Sequence, residues 1–331
     1  MLAFTIVLIV IALLFDFLNG MNDAANSIAT VVSTRVLPPR VAVIWAAFFN
    51  FVAAFGFGVA VAKTIGKGII DPGIINHQLI FAALTGAIVW THLCTKYGLP
   101  ISVSHALIGG LAGAGVMKGG FEVLNPTGIS VVVLFIFLSP MLGLIIGFFN
   151  MTVVTWIFRK TPPRKVDRLF RVGQLVSAAA YSLGHGANDA QKTMGIIAVL
   201  LYSSGYLGPE FYVPVWVIVA AYTAISLGTL LGGWKVIRTM GVKLTHLKPV
   251  GGFCAESAGA VVLLGTALAG IPVSTTHTIA GSIMGVGSTR RISAVRWGVA
   301  GRIVMAWILT IPVSAALSAL LYEVIRFLDA L

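Results

Sequence analysis

Two short polar runs sit where so apolar a chain should have none. Gly20-Met21-Asn22-Asp23-Ala24-Ala25-Asn26-Ser27 follows an apolar run over 2–18, and another apolar run begins at Val41. Gly186-Ala187-Asn188-Asp189-Ala190-Gln191-Lys192-Thr193 repeats the G-x-N-D-A core 166 positions later. A carboxylate inside a membrane is costly and marks a candidate functional site. Asp23 and Asp189 can stay ionised there only beside a cation or a basic group. Asn oxygens, carboxylates and freed backbone carbonyls are hard ligands that suit Na⁺. The predicted cation ligands are therefore Asp23, Asn22, Asn26, Asp189 and Asn188, with Glu256, inside a later apolar run, as a further ligand or a partner for a basic group. Lys192 follows Asp189 by three positions, and on a helix the two can pair. Asp23 has no basic neighbour in the sequence, which favours a bound ion there. Buried kinks that merely hold helices together would explain one such stretch more readily than two matched ones.

A second pair of segments has the chemistry of an anion site. Pro100-Ile101-Ser102-Val103-Ser104-His105 aligns with Pro272-Val273-Ser274-Thr275-Thr276-His277 at an offset of 172. Proline with a following Ser or Thr marks a helix start. Helix starts present free N–H groups and a partial positive charge, so they hold anions. Ser102, Ser104, Ser274, Thr275 and Thr276 can donate to phosphate oxygens or accept from protonated ones. His105 and His277 can donate to the anion or titrate near neutral pH. Asn22, Asn188 and Gln191 are expected among the phosphate ligands, with Asn22 and Asn188 between anion and cation. The plainer account is that the hydroxyls cap helices and the histidines bond to backbone.

These segments must be positioned by membrane elements. Of 331 residues, 58% are apolar and 10% charged, against about 25% charged in a soluble domain. The net charge of +12 does not indicate a nucleic-acid binder, because the Lys and Arg residues concentrate in short loops, where they encode topology. Cys94 and Cys254 lie inside apolar runs and give neither a disulfide framework nor a metal spacing. The first apolar run lacks a basic leader and a small-x-small cleavage site, so it is expected to be a retained helix.

A crossing needs about 20 apolar residues, which divides the first half into segments 2–34, 41–62, 79–97, 101–117 and 128–158. The second half gives 171–202, 213–236, 250–269, 273–288 and 295–328. The first segment of each half is predicted to break, at 19–26 and at 185–192, because Gly, Asn and Asp disfavour helix interiors. The fourth of each half, short and rich in Gly and Ser, could be a crossing, a re-entrant hairpin or a pair of half-helices. The expected fold is an all-α polytopic membrane protein of two inverted repeats, 1–158 and 171–331, joined by a basic cytoplasmic linker at 159–170. Charge supports the inversion: the central loop carries Arg159, Lys160, Arg164, Lys165, Arg168 and Arg171 against Asp167 alone, and counting outward leaves only Lys63, Lys67, Lys118 and Arg326 as basic residues on the far side. Both chain ends are then expected outside.

The paired G-x-N-D-A and P-x-S-x-[ST]-H segments, in this order over nearly the whole chain, resemble the inorganic phosphate transporter (PiT) family. The resemblance implies symport of phosphate with Na⁺ or H⁺, alternating access, transport and scaffold parts, a homodimer in the lipid bilayer of the cell (inner) membrane, no enzymatic activity and no cofactor besides the coupling ion. It carries Asn22, Asp23, Asn188 and Asp189 as the signature residues and Ser102, Ser104, His105, Ser274, Thr275, Thr276 and His277 as the hydroxyl segments. The second copy departs from the first at Gln191-Lys192, where the first has Ala25-Asn26. A sulfate permease of the same fold remains open, since sulfate needs only donors. An intramembrane aspartyl protease built on Asp23 and Asp189 leaves the paired Asn and hydroxyl segments without a role. A channel would not need charged sites at mid-membrane in both halves.

Overall fold

The computed structural model describes residues 2–329, with Lys67 described by its backbone alone. The expected placement of the chain ends concerns residues 1, 330 and 331, which lie outside the described residues. Helices α1 (Leu2–Ser33), α2 (Pro39–Val52), α3 (Ala60–Gly68), α4 (His77–Tyr97), α5 (Val103–Gly119) and α6 (Pro126–Ile157) form the first half. Helices α7 (Pro163–Ser203), α8 (Val215–Leu231), α9 (Trp234–Arg238), α10 (Pro249–Leu268), α11 (Thr275–Ser288) and α12 (Trp297–Asp329) form the second. The repeat read from two motifs thus extends to the element order. The predicted linker is shorter than expected: Pro163, at the first position of α7, starts the helix inside the 159–170 stretch.

Among the described residues five helices, α1, α4, α6, α10 and α12, are long and apolar enough to cross a membrane, or up to seven spans if two bent pairs each count as one. Helix α7 has 41 residues but is polar for its length, and it is buried almost continuously from Ser177 to Leu201. Surrounded by protein, it needs no lipid-facing apolar surface. Phe4, Val10, Phe48, Phe137, Phe149, Trp156 and Leu320 instead point outward, forming the apolar exterior of a multi-pass membrane protein.

The predicted breaks at 19–26 and 185–192 do not occur; α1 and α7 run unbroken through both signatures. The glycines there serve close packing. A Cβ on Gly20 would lie 2.0 Å from the carbonyl oxygen of Ile225, and one on Gly186 would lie 2.5 Å from that of Asn50. The helices that do break are the second of each half. The α2 and α3 axes differ by 86°, and α8 and α9 by 64°.

The fourth segments resolve as the returning arms of helical hairpins. Helix α4 ends at Gly98, whose φ of 70° lets the Gly98 and Leu99 amides close on the carbonyls of Thr95 and Cys94. Helix α5 then runs back until Lys118 donates to the carbonyl of Ile74, just before α4. In the second half, α10 and α11 return to the same end of the bundle, where Thr245 donates to the carbonyl of Ala294. The hairpins enter from opposite ends and meet at their tips, where Thr276 donates to the carbonyl of Ile101 at 3.0 Å. Each returning arm lies on the last long helix of the other half. Cβ atoms on Gly109 and Gly113 of α5 would strike Ile311 and Ala315 of α12, and those on Gly281 and Gly285 of α11 would strike Pro140 and Leu144 of α6.

Six arginines gather at one end. Arg35, Arg159, Arg164, Arg171, Arg238 and Arg290 line an open cavity of about 1330 Å³ there. Arg171 pairs with Asp167 at 3.0 Å one turn away and donates to the carbonyl of Arg35.

Candidate functional site

The two signatures meet at the centre because α1 and α7 pass each other with their Asp residues facing. Asp23 and Asp189 are buried, and the ligand atoms of Asp23, His185 and Asp189 lie within 4.8 Å of one another. His185 Nε2 is 3.2 Å from Asp189 Oδ2 and 3.9 Å from Asp23 Oδ2. Its other nitrogen, Nδ1, lies 3.1 Å from Oδ1 of Asn50. The amide of Asn50 donates to Thr229 Oγ1 at 3.0 Å, which fixes Oδ1 as the acceptor facing His185. Nδ1 is therefore assigned the hydrogen, and Nε2 faces the two carboxylates, to which the neutral ring presents a lone pair. Three acceptors thus converge. Thr275 Oγ1 lies 3.1 Å from both Asp23 Oδ2 and Asp189 Oδ2, but its single hydrogen serves one at a time. The arrangement suits a cation with oxygen and imidazole ligands.

Lys192 answers Asp189 from one helical turn away, with Nζ 2.5 Å from Oδ1. The same ammonium donates to Ser104 Oγ and to the carbonyl of Val273, the latter at 2.8 Å. Asp23 has no such partner: no Lys or Arg among the described residues forms an ion pair with it, and its nearest donors are the hydroxyls of Thr275 and Thr276. Asn26 donates to those same hydroxyls, at 3.3 Å to Thr275 and 2.9 Å to Thr276.

The hydroxyl segments begin helices as the sequence predicts. Ser102 Oγ accepts from the amide of His105 and caps α5, and Ser274 Oγ accepts from the amide of His277 and caps α11, each at 3.2 Å. The first two amides of each helix, at Val103 and Ser104 and at Thr275 and Thr276, have no acceptor within the helix and point at the hairpin tips. Tyr181 holds the second tip by donating to the carbonyl of Thr275 at 2.9 Å. His105 and His277 stand ring to ring at 4.8 Å, and His277 stacks on Trp307 at 3.9 Å. Trp307 in turn donates to the carbonyl of Pro100 in the first tip.

Asn22 and Asn188 each bond toward the first arm of a hairpin. Asn22 donates to Thr95 Oγ1 at 2.6 Å, and Asn188 to the carbonyl of Leu263 at 2.7 Å. Both keep a buried Oδ1 with no hydrogen-bond partner among the described residues, as does Asn26. Three amide oxygens are thus free to ligate near the carboxylates.

Two residues depart from the sequence-based expectation. Gln191 turns away from the tips: Oε1 accepts from the amides of Val61 and Ala62, and Nε2 donates to the carbonyl of Ala187. It caps the start of α3, which has no capping side chain of its own, so it is committed to the bend rather than to an anion. Glu256 lies outside the group formed by Asp23, His185 and Asp189. It accepts from Thr30 at 2.6 Å, Gln174 at 2.9 Å and Ser177 at 2.5 Å, in a closed cluster toward the basic end. Thr30 lies two turns beyond Asp23 on α1, roughly 10 Å along the helix. Gly252 leaves the space Gln174 needs, since a Cβ there would lie 2.0 Å from its Nε2.

Sequence reasoning did not single out His185, Asn50, Gln174 or Ser177. The signal for His185 was its position four residues before Asp189, on the same helical face.

Comparison with known proteins follows the same outline. The model of the phosphate transporter family matches residues 19–166 and 158–318. A probable low-affinity inorganic phosphate transporter of Rhizobium meliloti (strain 1021) is 59% identical over 315 residues, covering 95% of this chain and 94% of that protein. One of the same description from Bacillus subtilis (strain 168) is 43% identical over 330 residues, covering 99% of both. Among solved structures, one described as the sodium-dependent phosphate transporter superposes with a TM-score of 0.89 at 27% identity, over 98% of this chain and 99% of that one.

Proposed function

The chain belongs to the phosphate transporter family, and we propose that it imports inorganic phosphate by symport with Na⁺. The observation that carries this reading is the convergence of Asp23 Oδ2, Asp189 Oδ2 and His185 Nε2, with one hydroxyl hydrogen between two carboxylates. Na⁺ would be held there by Asp23, Asp189 and His185, with Asn22, Asn26 and Asn188 offering amide oxygens. Phosphate would sit at the tips, between the amides that start α5 and α11 and the hydroxyls of Ser102, Ser104, Ser274, Thr275 and Thr276, with His105 and His277 beside them. The homologue described as sodium-dependent supports Na⁺ as the coupling ion.

Coupling follows from who owns the threonine hydrogens. Thr275 aims its single hydroxyl hydrogen at Asp23 or Asp189, and two uncompensated carboxylates would repel an approaching anion. A cation among the carboxylates would cancel that repulsion and release the Thr275 hydroxyl to donate to phosphate. Each ligand thereby raises the affinity for the other. Hairpins that enter from opposite ends then allow the site to open to one side at a time. In this reading the basic end, with residues 159–170, is cytoplasmic, both termini face outside, 1–158 and 171–331 are the inverted repeats, and the protein works as a homodimer in the cell membrane.

Uptake of radiolabelled phosphate into proteoliposomes under imposed Na⁺ or pH gradients tests substrate and ion together. Uptake driven by inward Na⁺ is the expected result. Uptake driven by a pH gradient and indifferent to Na⁺ would replace Na⁺ with a proton. Suppression by equimolar sulfate would redirect the reading to a sulfate permease.

A further inference from the structure

We propose that the ammonium of Lys192 is a built-in cation that takes the place of one exchangeable coupling ion, so that this chain carries one ion fewer per phosphate than it would with asparagine at position 192. The inference rests on the cation site proposed above.

The duplication supplies the comparison. Asp23 and Asn26 on α1 correspond to Asp189 and Lys192 on α7, at the same offset of 166. Ser104 and Thr276 correspond in the hairpin tips. Asn26 donates to Thr276, and Lys192 donates to Ser104. Lys192 therefore does what its counterpart does, binding the equivalent hydroxyl in the other hairpin. It then adds a unit charge, placed 2.5 Å from Asp189 Oδ1. Asn26 brings no charge to Asp23, and among the described residues no Lys or Arg pairs with Asp23, whose ion-pair neighbour is the His185 imidazole at 3.9 Å.

Two features mark this charge as a fixed counter-ion and not a grip on the anion. An ammonium has three hydrogens, and all three are engaged, on Asp189, Ser104 and the carbonyl of Val273. Lys192 is also 1% exposed, and a lysine so buried is retained with its charge only when paired and hydrogen-bonded. Asp189 thus carries its cation permanently, and Asp23 must take one from solution. With His185 neutral, Asp23, Asp189 and Lys192 sum to one negative charge, which a single monovalent ion balances. Asparagine at 192 would leave two.

The test counts radiolabelled Na⁺ bound per protomer to the purified protein, alongside Na⁺ moved per phosphate in proteoliposomes, for the parent, Lys192→Asn and Lys192→Arg. The parent should bind one ion fewer than Lys192→Asn, and the Hill coefficient for Na⁺ should rise from about one toward about two in that variant. Lys192→Arg, which keeps the charge, should keep the parent's count. If Lys192→Asn no longer transports, the binding count alone decides. Equal counts in the parent and Lys192→Asn would overturn the inference. The parent alone tests the preceding reading, since a parent that neither binds Na⁺ nor responds to its gradient has no Na⁺ coupling. The difference between parent and variant tests this one, and protons moved per phosphate give the same comparison if a pH gradient drives uptake.

Discussion

Asn50 on α2 fixes the ring of His185 on α7: Oδ1 of the amide lies 3.1 Å from Nδ1 of the imidazole, in the manner of a residue orienting a metal ligand from behind. Asn50 touches neither carboxylate in this arrangement. Asn50→Leu should leave His185 free to turn or change tautomer and should raise the Na⁺ concentration for half-maximal phosphate uptake by about 10- to 100-fold. The measurement is a Na⁺ titration of uptake at saturating phosphate. An unchanged midpoint would remove His185 from the cation site.

Asp23 and Asp189 are equivalent by repeat and unequal by surroundings, so their amides should differ. Asp23→Asn and Asp189→Asn should both abolish Na⁺-driven uptake. Only Asp189→Asn strands the buried ammonium of Lys192, a loss that typically costs about 3–5 kcal/mol. Thermal unfolding in detergent should therefore show Asp189→Asn well below Asp23→Asn. The double variant Asp189→Asn with Lys192→Met should recover most of that stability without recovering uptake.

The signature glycines are predicted to be packing positions. Gly20→Ala places a methyl 2.0 Å from the carbonyl oxygen of Ile225, and Gly186→Ala places one 2.5 Å from that of Asn50. Both should lower stability by at least about 1–3 kcal/mol, because neither neighbour is a side chain that can move aside. Gly298→Ala and Gly301→Ala meet nothing within 4 Å and should be neutral or slightly stabilising. Melting curves of the four variants make the comparison.

The Glu256 cluster is predicted to act separately from the cation site. Glu256→Gln replaces one acceptor oxygen with an amide N–H₂ facing donors from Thr30, Gln174 and Ser177. The loss should be about 1–3 kcal/mol of stability, with a lower uptake rate. The Na⁺ midpoint should stay where it is; a large shift would return Glu256 to the ligands of the ion at Asp23.

Much of this site was readable from residue chemistry. The paired carboxylates, the serine caps and the lysine three positions after Asp189 all rest on local rules, and α5, α11 and the Lys192 ion pair follow them. The misreadings have a common cause. Gly20 and Gly186 look alike whether they free the backbone or admit a neighbour, and only the approach of Ile225 and Asn50 distinguishes the two. The true bends, after α2 and α8, depend on what packs beneath them. Gln191 illustrates this: a side chain that reads as part of a binding signature is drawn off to cap α3, in the other half of the chain. His185 and Asn50 became visible as a pair only when two helices far apart in sequence were brought together.

The lodging of each returning arm on the far half's last helix bears on the order of synthesis. Helix α5 leaves the ribosome well before the surface that receives Gly109 and Gly113, which belongs to Ile311 and Ala315 of α12. The first hairpin must therefore wait for this packing surface until the second half has been made as far as α12. Chains truncated before α12 should leave α5 exposed to quality-control proteases, whereas the two halves expressed as separate polypeptides retain every surface needed to find each other.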